Sequence, residues 1–220
     1  MGLKLFYSPG ACSLATHIAL EEASADFDPV RVTLAKGEHL KPKYLAINPH
    51  ARVPALAIDG GVITENIAIL NYITDLFGGQ GAVPRGDPQA AARCNELLGW
   101  FASSVHIAFA QVWRAERFTE DASVHAAIQA GGREVLARQF AEIESLCGDG
   151  WLVPRELTAA DSYALTFYRW GLRIGMNMSR YAGWAALCDR VVERPAVRRV
   201  LEREGLRADE FAAPTELAAQ

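Results

Sequence analysis

The chain has 220 residues, half of them apolar, and a formal net charge of −4. That length supports a substantial core in one domain or two, and the mild acidity offers no electrostatic case for nucleic acid or an anionic membrane surface. No apolar run approaches a membrane span and the N-terminus lacks a secretory pattern, so a soluble cytoplasmic protein is expected.

Leu3 to Tyr7 reads as a first strand and Ser13 to Ala23 as a helix. Val30, Val32 and Leu34 alternate with polar residues, a strand signal. Pro42 to Ile47 is a short helix that stops at Asn48-Pro49. Val53 to Ile58 is a strand, Asp59-Gly60-Gly61 a turn and Val62 to Thr64 its hairpin partner. Glu65 then opens a helix through Ile69, Ile73, Leu76 and Phe77. The order is that of a small mixed α/β layer. Gly78 to Gly81 ends it and begins a flexible connection. Asp87-Pro88 restarts helix, with Asp as cap and Pro in the first turn. Helical patterns continue at Ser123–Cys147, after the capping box Thr158-x-x-Asp161, at Trp184–Glu193 and at Ala196–Glu204. From Ala208 onward the chain is small and polar, and is expected to fray.

Cys12 sits where the first strand hands over to the first helix. Unpaired N–H groups there favour an anion, so a thiol in that place is expected to have a depressed pKa. The competing reading is a small packed cysteine. A dithiol site of the Cys-x-x-Cys kind is excluded, because Ala15 stands at the second position. A second thiol must then come from solution, where glutathione is the abundant cytoplasmic one. Cys12, Cys94, Cys147 and Cys188 are widely spaced, so neither structural disulfides nor a metal site is expected. His17, His39, His50 and His125 read as surface residues.

The chain resembles a bacterial beta-class glutathione S-transferase. The likeness rests on Tyr7-Ser8-Pro9-Gly10-Ala11-Cys12-Ser13-Leu14, Asn48-Pro49 with Val53-Pro54-Ala55-Leu56, Thr64-Glu65-Asn66-Ile67-Ala68-Ile69 with Tyr72-Ile73, His106, and Leu157 to Tyr163. It implies a thioredoxin-like glutathione-binding domain over residues 1–77, a linker over 78–87, an all-helical domain over 88–207 and a tail over 208–220. It also implies a homodimer and no metal.

The resemblance further implies a cis Val53–Pro54 bond whose main chain pairs with the cysteinyl part of glutathione. Glu65 and Asn66 would take the γ-glutamyl ammonium and carboxylate at a helix start. Glutathione contacts are also implied for Ala11, Cys12, Lys36, Ser103 and His106. Cys12 and His106 would be catalytic, the imidazole tuning the sulfur from across a cleft. Phe109, Trp113, Tyr168 and Trp170 would line a pocket for an apolar or aromatic electrophile, or a disulfide. Two positions depart from the class: Ile107 stands where Lys is common, and Gly99 where Asn is common. Asn66 replaces the usual Ser, Thr or Gly.

The expected function is a glutathione-dependent transferase that conjugates glutathione, exchanges thiols and disulfides, or does both, with glutathione-dependent peroxide reduction as a further expected activity. A dedicated catabolic enzyme for dehalogenation or ether cleavage is an alternative. A non-catalytic interaction protein on the same fold is another, which the joint presence of Cys12, Val53-Pro54 and Glu65 disfavours.

Overall fold

The computed structural model describes residues 2–78 and 81–212. Gly79 and Gln80 of the expected linker, and the expected tail beyond Ala212, lie outside the described residues.

Strands β1 (Leu3–Tyr7), β2 (Phe27–Arg31), β3 (Ala55–Ile58) and β4 (Gly61–Thr64) form one sheet in the order β2-β1-β3-β4. β1 pairs with β2 in parallel, Leu3 against Phe27, and with β3 antiparallel, Leu5 against Leu56. The second strand starts and ends earlier than its Val30-Val32-Leu34 alternation suggests. Pairing to β1 sets its limits, and its edge position tolerates Pro29, which has no N–H to donate. Helices α1 (Ser13–Glu22), α2 (Pro42–Leu45) and α3 (Asn66–Phe77) accompany the sheet.

The remaining helices are α4 (Pro88–Trp100), α5 (His106–Trp113), α6 (His125–Leu146), α7 (Ala159–Arg173), α8 (Ala182–Val192) and α9 (Pro195–Glu204). Local chemistry sets their ends. Asp87 accepts from the N–H groups of Gln89 and Ala90, and Thr158 with Asp161 forms the reciprocal box that starts α7. A π-helical turn over Phe101–Val105 joins α4 to α5.

α1 is buried from Ser13 to Leu20, because the sheet covers one side and α7 and α9 cover the other. A helix enclosed on all sides must satisfy its polar groups internally. His17 is met at Nδ1, 2.8 Å from Glu204 Oε1 of α9, with its ring against Tyr7 and Phe27 and its Nε2 left without a hydrogen-bond partner among the described residues. His17 and His39 are therefore not surface residues, at 0% and 5% exposed. One apolar core runs from α1 and α3 into α4, α5 and α7. A smaller one, with Phe6, Val32, Tyr44, Val53 and Ala55, packs separately.

Two segments are more ordered than expected. Residues 81–83 are strapped down: the Gly81 N–H donates to Leu157 O, the Val83 N–H to Thr74 Oγ1, and the Ala82 carbonyl accepts from Ala159 N–H. The chain from Ala208 to Phe211 forms a 3-10 turn rather than a frayed tail. Phe211 is fully buried, and Glu210 accepts from Arg169 Nε and Nη2 at 3.1 and 2.6 Å.

Glu204 is the polar link between α9 and the turn ahead of α1. Its Oε2 accepts from the Gly10 N–H at 2.7 Å while Oε1 meets His17. Removing a buried acceptor leaves both partners unpaired. Glu204→Ala is expected to lower stability by about 3 kcal/mol in urea unfolding. A loss below about 1 kcal/mol would contradict the role given to this contact.

Candidate functional site

Three backbone segments converge on one cleft. The first is the turn Gly10-Ala11-Cys12. Gly10 has φ +63°, and its main chain is gripped at both ends: N–H by Glu204, carbonyl by Trp170 Nε1 at 2.8 Å. A Cβ at this position would run into the Arg169 guanidinium, so only glycine fits both the conformation and the space. The second is the Asn48–Pro54 turn. Tyr44 Oη and Asn48 Nδ2 both donate to the Arg52 carbonyl, at 2.6 and 2.8 Å, and Val53–Pro54 is cis. The third is Glu65, which caps α3 with φ +68° and ψ 126°, a strained backbone for a residue with a Cβ.

The cleft has a volume of about 440 Å³. Ala11, Cys12, Val53, Pro54, Glu65 and Asn66 line one side, with Ala102, His106, Ile107, Ala110, Trp113, Tyr163 and Trp170 on the other. Of the residues expected to form the site, Lys36 and Ser103 do not belong to this wall. Lys36 is exposed on a 3-10 turn, and Ser103 is exposed with its hydroxyl donating to Gly99 O. The π-helical turn explains Ser103. It widens the helix by a residue, so the face containing Gly99 and Ser103 falls out of phase with that of His106, Ala110 and Trp113. Phe109 and Tyr168 are fully buried core residues rather than lining. Phe109 stacks on Trp113 and Phe167, and Tyr168 packs on Trp184.

Cys12 is 8% exposed, and its Sγ donates to Val53 O at 3.2 Å. Burial pushes the thiol up to about 12, although the N–H groups of Cys12 and Ser13 pull the other way, and the Glu65 charge adds to the rise. The depressed pKa expected from the helix start is therefore not found. The sulfur faces a carbonyl that favours the protonated form.

His106 makes its hydrogen bond to Tyr163, Nδ1 to Oη 3.2 Å, rather than to the Cys12 sulfur, and its ring meets Trp170 edge-on. Burial, with help from Arg52 and Arg117, lowers its pKa to about 4, so it is neutral at physiological pH. The Tyr163 hydroxyl also engages the Asn66 side chain. Asn66 is itself occupied, with Nδ2 donating to Cys12 O at 3.0 Å and Oδ1 accepting from Thr16 Oγ1 at 2.5 Å. Its amide thus braces the Cys12 turn, and only its main chain is available at the helix start.

Tyr163, Arg52, Arg114, Arg117 and His39 also line the cleft, and no motif in the sequence marks them as site residues. Arg114 and Arg117 carried one usable signal: two cations three residues apart, immediately after Trp113. Among the described residues no helix is long and apolar enough to cross a membrane.

Residues 1–75 match the family described as glutathione S-transferase, N-terminal domain. Glutathione S-transferase GstA of Escherichia coli O157:H7 is 34% identical over an alignment of 209 residues that covers 93% of this chain and 100% of the relative. A bacterial beta-class glutathione S-transferase of Sphingomonas chungbukensis superposes with a TM-score of 0.80 at 34% identity, over 93% of this chain and 100% of its own. A glutathione transferase homologue from Sulfitobacter, solved with bound glutathione, superposes with a TM-score of 0.86 at 32% identity, over 93% of this chain and 99% of its own.

Neutral His106 has a consequence for stability. Its folded pKa lies below the ordinary value of 6.5, so between those values the unfolded chain binds more protons. This contribution is present above pH 6.5 and is lost as pH falls toward 4. Urea unfolding at pH 7 and pH 5 is expected to differ by on the order of 2 kcal/mol less in His106→Asn than in the wild type. Identical pH dependence in the two proteins would contradict a half-buried neutral imidazole.

Proposed function

Because the chain belongs to the glutathione S-transferase family, we propose that it binds glutathione in the Cys12 cleft and uses Cys12 as a reactive thiol. The observation that carries this reading is the convergence of Cys12, the Val53-Pro54 turn and Glu65 at the start of α3 on one cleft. The cysteinyl segment of glutathione pairs with the Val53 main chain as an added strand. The γ-glutamyl carboxylate takes the free N–H groups of the first turn of α3, and Glu65 takes the ammonium.

This placement supplies the step that makes Cys12 reactive. The Val53 carbonyl now holds the Cys12 thiol in its protonated form. A glutathione N–H that pairs with the same carbonyl competes for it and releases the sulfur. In thiol transfer, Cys12 attacks the glutathione sulfur of a mixed disulfide. The Cys12–glutathione S–S bond forms, the old S–S bond breaks, and the departing thiol takes the proton. A second glutathione then attacks that bond, leaving as oxidised glutathione and returning Cys12 to its thiol. In conjugation, the bound glutathione thiolate attacks an electrophile directly, and Cys12 forms no covalent bond. We favour exchange as the better of the two activities, because a second sulfur occupies the place that a hydroxyl would need to hold that thiolate.

Intact-mass measurement after incubation with oxidised glutathione is expected to show one glutathione adduct on the wild type and none on Cys12→Ala. Calorimetry is expected to give Cys12→Ala a glutathione affinity within about threefold of the wild type. Glu65→Ala is expected to lose about 1.5–3 kcal/mol of binding, the cost of one charge-assisted contact. An adduct that persists in Cys12→Ala, or unchanged affinity in Glu65→Ala, would refute this reading.

A further inference from the structure

The cleft carries a concentration of positive charge that glutathione does not exhaust. Arg52 enters from the sheet side, and Arg114 and Arg117 from the chain just after α5. Among the described residues Glu65 is the only acid in the wall. Several arginines elsewhere in this protein are matched by acids. Arg194 holds Glu22, Arg199 and Arg203 hold Glu21, and Arg169 holds Glu210. Among the described residues no carboxylate forms an ion pair with Arg52, Arg114 or Arg117, and Glu116 is the least of the influences on Arg117.

The three cations feel one another. Arg114 and Arg52 both act on Arg117, Arg52 and Arg117 act on His106, and Arg114 with Arg117 acts on His39. Like charges gathered around a concave surface repel, and an anion between them relieves that repulsion. Arginine is suited to the task because its fork meets a carboxylate with two parallel hydrogen bonds.

Resting on the glutathione placement proposed above, a charge count shows what is left over. Glutathione carries two carboxylates and one ammonium. The γ-glutamyl end is taken by the helix start and Glu65, and the glycyl carboxylate needs one cation, for which Arg52 beside Val53 is placed. Arg114 and Arg117 remain. They flank exposed Trp113 and stand on the same wall as Ile107 and Trp170. We propose that the second substrate of this enzyme is an anionic compound, with an apolar or aromatic body on Trp113 and Ile107 and a carboxylate held by Arg114 and Arg117. The apolar electrophile expected from the aromatic residues alone is thereby narrowed to one bearing a negative charge.

The test uses two unreactive probes of similar shape, 3,5-dinitrobenzoate and 1,3-dinitrobenzene, followed by quenching of tryptophan fluorescence. The wild type, with and without saturating glutathione, is expected to bind the benzoate about tenfold more tightly, the worth of one charge-assisted contact. R114Q/R117Q is expected to lose that preference, and R114K/R117K to keep part of it. Equal binding of the two probes by the wild type, or a preference that survives in R114Q/R117Q, would overturn the proposal. So would displacement of the benzoate by glutathione together with weaker glutathione binding in R114Q/R117Q, because the arginines would then serve the tripeptide. A wild type that binds no glutathione would instead strike the glutathione reading, while the probe preference would still decide whether the arginines hold a carboxylate.

Discussion

The geometry of the site depends on how the main chain of Gly10 is held. Glu204 from α9 takes its N–H and Trp170 from α7 takes its carbonyl, so the turn ahead of Cys12 is fastened to the helical region at both ends. Neither contact belongs to the sheet. Cys12 then donates to Val53 O on the sheet side, and Asn66 from α3 holds the Cys12 carbonyl. One short turn is thus tied to four elements that are far apart in sequence. Burial makes these ties stronger than they would be at the surface, because no water competes for the groups involved.

The chemistry that follows differs from a simple activated thiolate. A helix start lowers a thiol's pKa only when the sulfur can face the free N–H groups without losing water elsewhere. Here burial dominates, and a carbonyl accepts the proton-bearing sulfur. His106 is neutral and turned to Tyr163, so it supplies no cation to the sulfur. Positive charge in the cleft comes instead from three arginines in its wall. The resting thiol is therefore quiet, and an anion entering the cleft meets a favourable field from the arginines.

Much of this was legible in the sequence where the signal is local. Asp87-Pro88 and the Thr158–Asp161 box start helices where their capping chemistry requires. The strand-to-helix position of Cys12 and the hairpin around Gly60 are likewise visible in a few adjacent residues. What was not legible depends on partners distant in the chain. His17 looks like a surface residue until α9 brings Glu204 against it. Ser103 seems to share a face with His106 until a π-helical turn shifts the phase between them. Phe211 is one apolar residue in a polar tail, and only the core that receives it reveals its role. Arg52 lies 62 residues before Arg114, and no local pattern announces that they share a cleft.

The central claim is that glutathione lies along the Val53 main chain with its sulfur beside Cys12. A crystal structure of the protein grown with glutathione tests it most directly. The expected complex has cysteinyl N–H and carbonyl groups paired with Val53, the γ-glutamyl end at Glu65 and Asn66 N–H, and the glutathione sulfur within about 3–3.5 Å of Cys12 Sγ or bonded to it. Glutathione bound away from Val53, with Cys12 Sγ still donating to the Val53 carbonyl, would contradict it.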